Sequence, residues 1–481
     1  MGWRVILIRL LLLSLLLGAA PLRAQNPLSG AIHKLPAGTR YALLIEPIRA
    51  TQPTLALNAD GYYPPASTLK ILTALAAKLE LGDEFRFSTK LLRAKQDWAI
   101  RFSGDPTLTS ADINALLQQL KVHSGGQIDG DLWLDDSAFS GYQRAVGWPW
   151  DILGVCYSAP VSAINLDSNC IQASIYTEPQ GKTRVYVPEH HPVHVQSQTI
   201  SVSQAQQESL HCDLELTTSP ENHYQLAGCL VQRDKPLALK LAVQDTGLYT
   251  QRIVYRLLGQ LNIKLKGQVK IGAPPLAPFE RVAQHQSAPL AELLPIMLQK
   301  SDNLIADSLT KTLGQHFYLQ PGSFANGTQA IKQILYSRAG IDLQDSPLAD
   351  GSGLSRNNRI RPQVMLETLR YLYQHDAELG LIAMLPNAGQ SGTLQYRRSM
   401  RSPLVSGQIK AKSGSLYGTY NMAGFIVDQQ LRPTALFVQF VTDYFPPSAK
   451  PSVAVEAPIV QFESELYQQL IEWDRSQANA S

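Results

Sequence analysis

The stretch YYPPASTLKILTAL, residues 62–75, sets a serine and a lysine three residues apart at the mouth of an apolar run. Pro64-Pro65 cannot sit inside a helix, so the spacing predicts a helix beginning near Ser67. Residues i and i+3 share a helix face, which places Lys70 beside Ser67. A serine hydroxyl is a weak nucleophile at neutral pH and needs a base. A lysine amine can be that base only when neutral, and burial or a second cation would lower its pKa. The N–H groups of a helix start can also receive a developing oxyanion. The chemistry that fits is acyl transfer through a covalent serine.

Two later stretches carry complementary groups. In LQKSDNLIADSL, Ser301 and Asn303 lie where a helix-like stretch, Leu290 to Leu298, stops and another begins. Helix capping by Ser301 or Asp302 explains the same residues without chemistry. In GQIKAKSGSLYGTYNMAGFIV, Lys412-Ser413-Gly414 is the chain's only K-[ST]-G. The runs NMAGFIV and TALFVQFV, separated by DQQLRP, predict antiparallel strands joined by a turn. A strand edge at 412–416 would offer a cation, a hydroxyl and backbone N–H groups, Ser415's among them, to a carboxylate and a carbonyl. Gly414 would leave room for a close ligand.

Each motif alone is weak. Ser308-Leu-Thr-Lys311 is a second S-x-x-K, read as solvated helix surface because no break precedes it. Ser355-Arg-Asn357 is a second S-x-N.

The elements that must position these groups belong to a chain of 481 residues, long enough for two or three domains. Residues 1–24 read as a cleaved secretory leader: Arg4 and Arg9, an apolar core through Leu17, then small residues. Losing Arg4, Arg9 and Arg23 takes 42 basic side chains to 39, equal to the 39 acidic ones. A neutral mature chain gives no reason to expect a nucleic-acid partner. The C-terminal helix candidate carries Phe462, Leu466, Leu470 and Trp473 together with Glu463, Glu465, Glu472 and Asp474. An acidic helix suits anionic lipid poorly, so it is read as packed on the body, with at most loose membrane association. Four cysteines in an exported chain suggest disulfides, and the local pairs Cys156–Cys170 and Cys212–Cys229 are preferred over the other connectivities. The absence of CxxC and HExxH argues against zinc.

S-x-x-K, then S-x-N, then K-[ST]-G, each in a fitting local context, is close to the signature of penicillin-binding proteins and class A β-lactamases. The chain resembles the class C low-molecular-mass penicillin-binding proteins, the periplasmic DD-carboxypeptidase/DD-endopeptidase group. The resemblance extends through FSGDPTL (102–108), GWPWD (147–151), YSAPVSAINLDSN (157–169), ADGSGLSR (349–356) and AGQSGTLQYR (388–397). One departure is Ser413, where the family usually has threonine; the hydroxyl is kept and a methyl lost.

The resemblance implies an α+β fold: a β-lactamase/DD-peptidase-like domain, an antiparallel sheet flanked by helices. More than two hundred residues separate Ser67 from Ser301, far more than in β-lactamases. Residues 89–285 are therefore read as a mostly β insertion of one or two domains between catalytic parts 25–88 and 286–481. Helix-like periodicity also occurs around Asp112–Leu120 and Leu248–Leu261. The implied substrate is a peptidoglycan stem peptide ending in D-Ala-D-Ala, or a D-Ala–diaminopimelate cross-link, with β-lactams as covalent inhibitors. The implied roles are Ser67 as nucleophile, Lys70 as base and Ser301 as proton relay. Asn303 would bind substrate backbone, Lys412 and Ser413 its carboxylate, and the N–H groups of Ser67 and Ser415 its oxyanion. Lys412 would also help keep Lys70 neutral. No metal or organic cofactor is implied. A serine β-lactamase and a non-catalytic wall-binding protein remain as rivals, while the lack of G-x-S-x-G weakens an esterase.

Overall fold

The computed structural model describes residues 27–275, 278–446 and 456–480, so the leader lies outside the described residues. The runs NMAGFIV and TALFVQFV fall within strands Thr419–Val427 and Pro433–Thr442, paired antiparallel across the DQQLRP turn as their sequence predicts. Neither run alternates with polar residues because both sheet faces are covered. Ala423, Phe425 and Val427 face one core, Met422 and Ile426 the other. Strand Arg40–Pro47 pairs with Pro433–Thr442 and is flanked by Leu55–Leu57, while Ile409–Leu416 forms the opposite edge of a five-stranded antiparallel sheet.

Helices Lys70–Leu81, Leu290–Lys300, Asn303–Tyr318, Phe324–Ala339 and Pro362–Gln374 cover one face, meeting through Leu75, Leu294, Leu309, Ile334 and Leu369. Helix Pro458–Ala480 covers the other, with Phe462, Leu466 and Leu470 buried. Its reading as a packed helix holds, with one refinement. Glu463 is buried and forms a bidentate ion pair with Arg397, while Ser399 Oγ donates to it at 2.9 Å.

The chain leaves this body through strand Ser88–Ala94 and returns through Glu280–Gln286, which pair antiparallel, so exit and re-entry lie side by side. Between them, Asp97–Arg101 and Leu132–Asp135 run parallel and are joined by helix Ser110–Ser124. Thr109 and Asp112 cap that helix reciprocally. Helix Thr246–Gln260 leads to Val269–Ile271, parallel to Leu132–Asp135. Residues 170–242 build two smaller sheets. The cysteines form the local pairs, Cys156–Cys170 and Cys212–Cys229. In the chain-entropy picture each cross-link removes about 3 kcal/mol of unfolded-state freedom.

The second S-x-x-K corrects the sequence reading. Ser308 and Lys311 are buried, not solvated, because helix Asn303–Tyr318 is sandwiched between the catalytic body and the segment 139–165. Asn165 Nδ2 donates to Ser308 Oγ at 3.3 Å. Lys311 Nζ donates to the carbonyls of Tyr142 (2.8 Å) and Val161 (2.9 Å) and lies 4.7 Å from the Phe324 ring centroid. Burial lowers its pKa to about 8, against the pull of Asp307. Lys311 is thus an anchor for the segment that roofs the cleft. Lys311→Met fills similar volume but strands two buried carbonyls, and it is expected to lower stability in urea melts by about 2–4 kcal/mol.

Candidate active site

The serine turn departs from a simple helix start. A 3₁₀ turn, Ala66–Leu69, precedes the α-helix, which begins at Lys70 rather than Ser67. The cause is Ala66, whose φ of +47° lies in the left-handed region and blocks a straight run from the prolines into an α-helix. Residues i and i+3 eclipse in a 3₁₀ turn, so the serine–lysine juxtaposition survives. The turn is braced from several sides. Thr68 Oγ1 donates to Pro65 O (2.7 Å), and Asn421 Nδ2, from the central sheet, donates to Pro64 O (2.8 Å).

Gly414 serves this turn. A Cβ there would lie 2.8 Å from Pro65 O and 3.0 Å from the backbone nitrogens of Ser67 and Thr68. The room that the sequence reading gave to a ligand is filled by the serine turn itself. Gly353 has the same function opposite: at φ +83°, its Cβ would fall 1.8 Å from Ala66 O.

Lys70 is fully buried. Its Nζ lies 3.1 Å from Ser67 Oγ, 2.6 Å from Asn303 Oδ1 and 2.7 Å from Ser352 O. Asn303 Nδ2 donates to Tyr157 O at 2.7 Å. That carbonyl can only accept, which orients the Asn303 amide oxygen toward the lysine. Burial lowers the Lys70 pKa to about 8, while the charges of Asp307, Asp350 and Asp302 oppose it. Desolvation, not a neighbouring cation, is thus the leading cause at Lys70.

Ser301 closes helix Leu290–Lys300 in a left-handed conformation, φ +57°. Asp302 is the residue that caps the next helix, accepting from Ile305 N at 2.9 Å. Ser301 is therefore free to face the sheet, where Lys412 Nζ donates to its Oγ at 2.9 Å and to Ser413 O at 2.9 Å. Lys412 is fully buried, and its pKa is lowered first by that burial, then by the charges of Lys70 and Arg397. Ser413 Oγ lies 2.8 Å from Thr393 Oγ1. Arg397 stays charged, because Glu463 outweighs the cost of its burial. Ser415 follows on the edge strand and, with Ser67 and Asn303, lines an open cleft of about 620 Å³. The cleft is also walled by Trp150, Asp151, Tyr157, Arg356 and Tyr417.

Asp307 belongs to the site although it lies in none of the three sequence motifs. It lies one turn along the helix from Asn303, on the same face. Its Oδ1 accepts from the N–H groups of Gly351 and Ser352 at 2.9 Å each, holding the loop whose Ser352 carbonyl meets Lys70. Its Oδ2 is buried with no hydrogen-bond partner among the described residues. Burial and the charge of Asp350 raise the Asp307 pKa to about 7. Asp350 itself accepts from Trp148 Nε1 at 2.8 Å and from Gly353 N at 2.8 Å, linking the GWPWD and ADGSGLSR stretches. The signal for Asp307 is its place in LQKSDNLIADSL, four residues after Asn303 and so on the same helix face.

An antiparallel sheet between helical layers, with a serine–lysine pair held against its edge strand, is the β-lactamase/DD-peptidase fold. The chain belongs to the D-Ala-D-Ala carboxypeptidase 3 (S13) family, whose model matches residues 24–466. It is 38% identical to the D-alanyl-D-alanine carboxypeptidase DacB of Haemophilus influenzae over 463 residues, 94% of this chain and 95% of that protein. The crystal structure of penicillin binding protein 4 (dacB) from H. influenzae superposes with a TM-score of 0.84 at 38% identity, covering 92% of this chain and 99% of that one. The same relative complexed with a novel β-lactam gives 0.80 at 36% identity over the same shares. Among the described residues, no helix is long and apolar enough to cross a membrane.

The electrostatics predict a pH profile. The neutral fraction of Lys70 grows as pH rises through about 8, so acylation by a fluorescent penicillin should accelerate from pH 6 to 9. Asp307→Asn removes an anion that favours the ammonium, and stopped-time gel assays should show this rise displaced to lower pH by roughly 0.5–1 unit. An unmoved profile would separate Asp307 from the lysine.

Proposed function

We propose that this protein is a periplasmic serine DD-peptidase, delivered by a cleaved leader. It hydrolyses the terminal D-Ala-D-Ala bond of peptidoglycan stem peptides and the D-Ala–diaminopimelate cross-link. The observation that carries the reading is the set of three groups around Lys70 Nζ. A neutral amine has two N–H bonds and one lone pair. Asn303 Oδ1 and Ser352 O can only accept, so they take both N–H groups. The lone pair is left for the Ser67 hydroxyl.

In this mechanism Lys70 removes the Ser67 proton as Oγ attacks the penultimate D-Ala carbonyl. The N–H groups of Ser67 and Ser415 receive the oxyanion; one such donor is worth about 3–4 kcal/mol in comparable sites. Lys412 and the Ser413 hydroxyl hold the substrate carboxylate, with Thr393 orienting Ser413. Ser301 Oγ accepts from Lys412, so as the C–N bond breaks its O–H can pass a proton to the leaving amine while Oγ takes a replacement from the Lys412 ammonium. Asn303 serves Lys70 and the substrate backbone. Water then hydrolyses the acyl-serine. Asp151 and Arg356 offer opposite charges on the cleft wall, matching the ammonium and carboxylate at the end of a diaminopimelate side chain. The peptidase names and β-lactam complex of the relatives support the same reading.

Mass spectrometry of the mature protein with penicillin is expected to give a long-lived adduct on Ser67 that Ser67→Ala abolishes. Incubation with a pentapeptide should release one D-Ala, and with a cross-linked muropeptide dimer should yield monomers. Multiple turnover of nitrocefin would instead favour a β-lactamase, and binding with no D-Ala release a non-catalytic wall binder.

A further inference from the structure

A second groove lies against the first. It has a volume of about 710 Å³ and shares Tyr157 and Asn303 with the cleft that holds Ser67. One bank is the junction Lys300–Leu304, which carries Ser301; the other runs along the edge strand Leu237–Ala242 of an inserted sheet and its neighbour Cys170–Thr177, so that consecutive residues of the edge strand reach it from opposite faces. Leu214, Leu216 and Leu239 give it a half-buried apolar lining. Its exposed charges are Lys240 and Lys300, and the one carboxylate in its lining, Asp302, is half-buried and caps a helix through Oδ1. Lys240 sits directly opposite Gln172 across the strand pair.

Two features identify the occupant. First, the groove runs past Ser301, the residue placed beside the leaving amine, whereas the acid–base pair Asp151 and Arg356 belongs to the other cleft. Second, its cationic rim and apolar floor complement a short peptide bearing free carboxylates. Resting on the DD-peptidase reading, we propose that this groove seats the second stem peptide of a cross-link, the strand that departs with the amine. A monomeric pentapeptide, whose leaving group is a single D-Ala, would not reach it. The inserted domain would then act as a selector for cross-linked over uncross-linked substrate.

The test compares initial rates, by chromatography and mass spectrometry, on a cross-linked muropeptide dimer and a monomeric pentapeptide. Lys240→Glu reverses the charge at an exposed strand position, Gln172→Glu places a carboxylate opposite Lys240, and Lys240→Met removes the charge while keeping the stem. The expected result is a five- to tenfold rise in KM for the dimer with Lys240→Glu and a smaller one with Lys240→Met. Pentapeptide turnover and penicillin acylation should stay within twofold, which also reports intact folding. Added salt should raise the dimer KM of the wild-type protein more than that of Lys240→Glu. Equal changes on both substrates, or none on the dimer, would overturn the proposal, as would a wild-type protein that trims pentapeptide but leaves dimers intact. Failure of the wild-type protein on both substrates would instead remove the DD-peptidase reading on which the proposal stands.

Discussion

Taking a lysine amine fully out of water costs several kcal/mol in its charged form, and the rest of this site is organised around that cost. Lys70 is completely enclosed, and among the described residues its hydrogen-bond partners are an amide oxygen, a carbonyl and a hydroxyl, with no carboxylate at ion-pair distance. Those partners satisfy a neutral amine at least as well as a charged one. Two buried acids, Asp307 and Asp350, act on it through space and accept N–H groups of the loop that supplies the carbonyl. The balance lowers the Lys70 pKa to about 8, which is what the proposed base role requires.

Each partner of Lys70 arrives from a different part of the chain, so the site is only as precise as the contacts between those parts. Asn303 is held by the Tyr157 carbonyl, next to the Cys156–Cys170 bridge. The Gly351–Gly353 loop is pinned through Asp350 to Trp148, and Ser355 Oγ donates to Val146 O at 2.7 Å. Lys311 ties Tyr142 and Val161 to the helix that begins with Asn303. The inserted segment therefore belongs to the wall of the cleft rather than hanging from it. Its residues line both grooves, including Tyr157 in each.

The close approach of the edge strand is the other constraint. With Gly414 against the Ser67 turn, the strand delivers Lys412 and Ser413 to the interior and leaves Ser415 at the cleft. Lys412 is buried near Lys70 and Arg397, whose charges add to burial in disfavouring its ammonium, whereas the sequence expectation that Lys412 keeps Lys70 neutral gives way to desolvation as the cause at Lys70.

Much of this was legible in the residues. The proline pair before Ser67, the i, i+3 lysine, the helix break at Ser301 and the two apolar runs after Gly414 are local signals, set by steric limits and periodicity that a few neighbouring residues enforce. The local cysteine pairs were legible for the same reason. What the chain order could not disclose is what came together from far apart. Whether Lys311 is solvated depended on a segment more than 140 residues earlier roofing its helix. That Asp307 supports Lys70, that Gly414 makes room for a turn rather than a ligand, and that Tyr157 steers Asn303 all follow from packing. Sequence determined which groups could do chemistry; tertiary structure decided which are dry, which are paired and which face one another, because desolvation and hydrogen-bond geometry are properties of the assembled surroundings and not of the residue type.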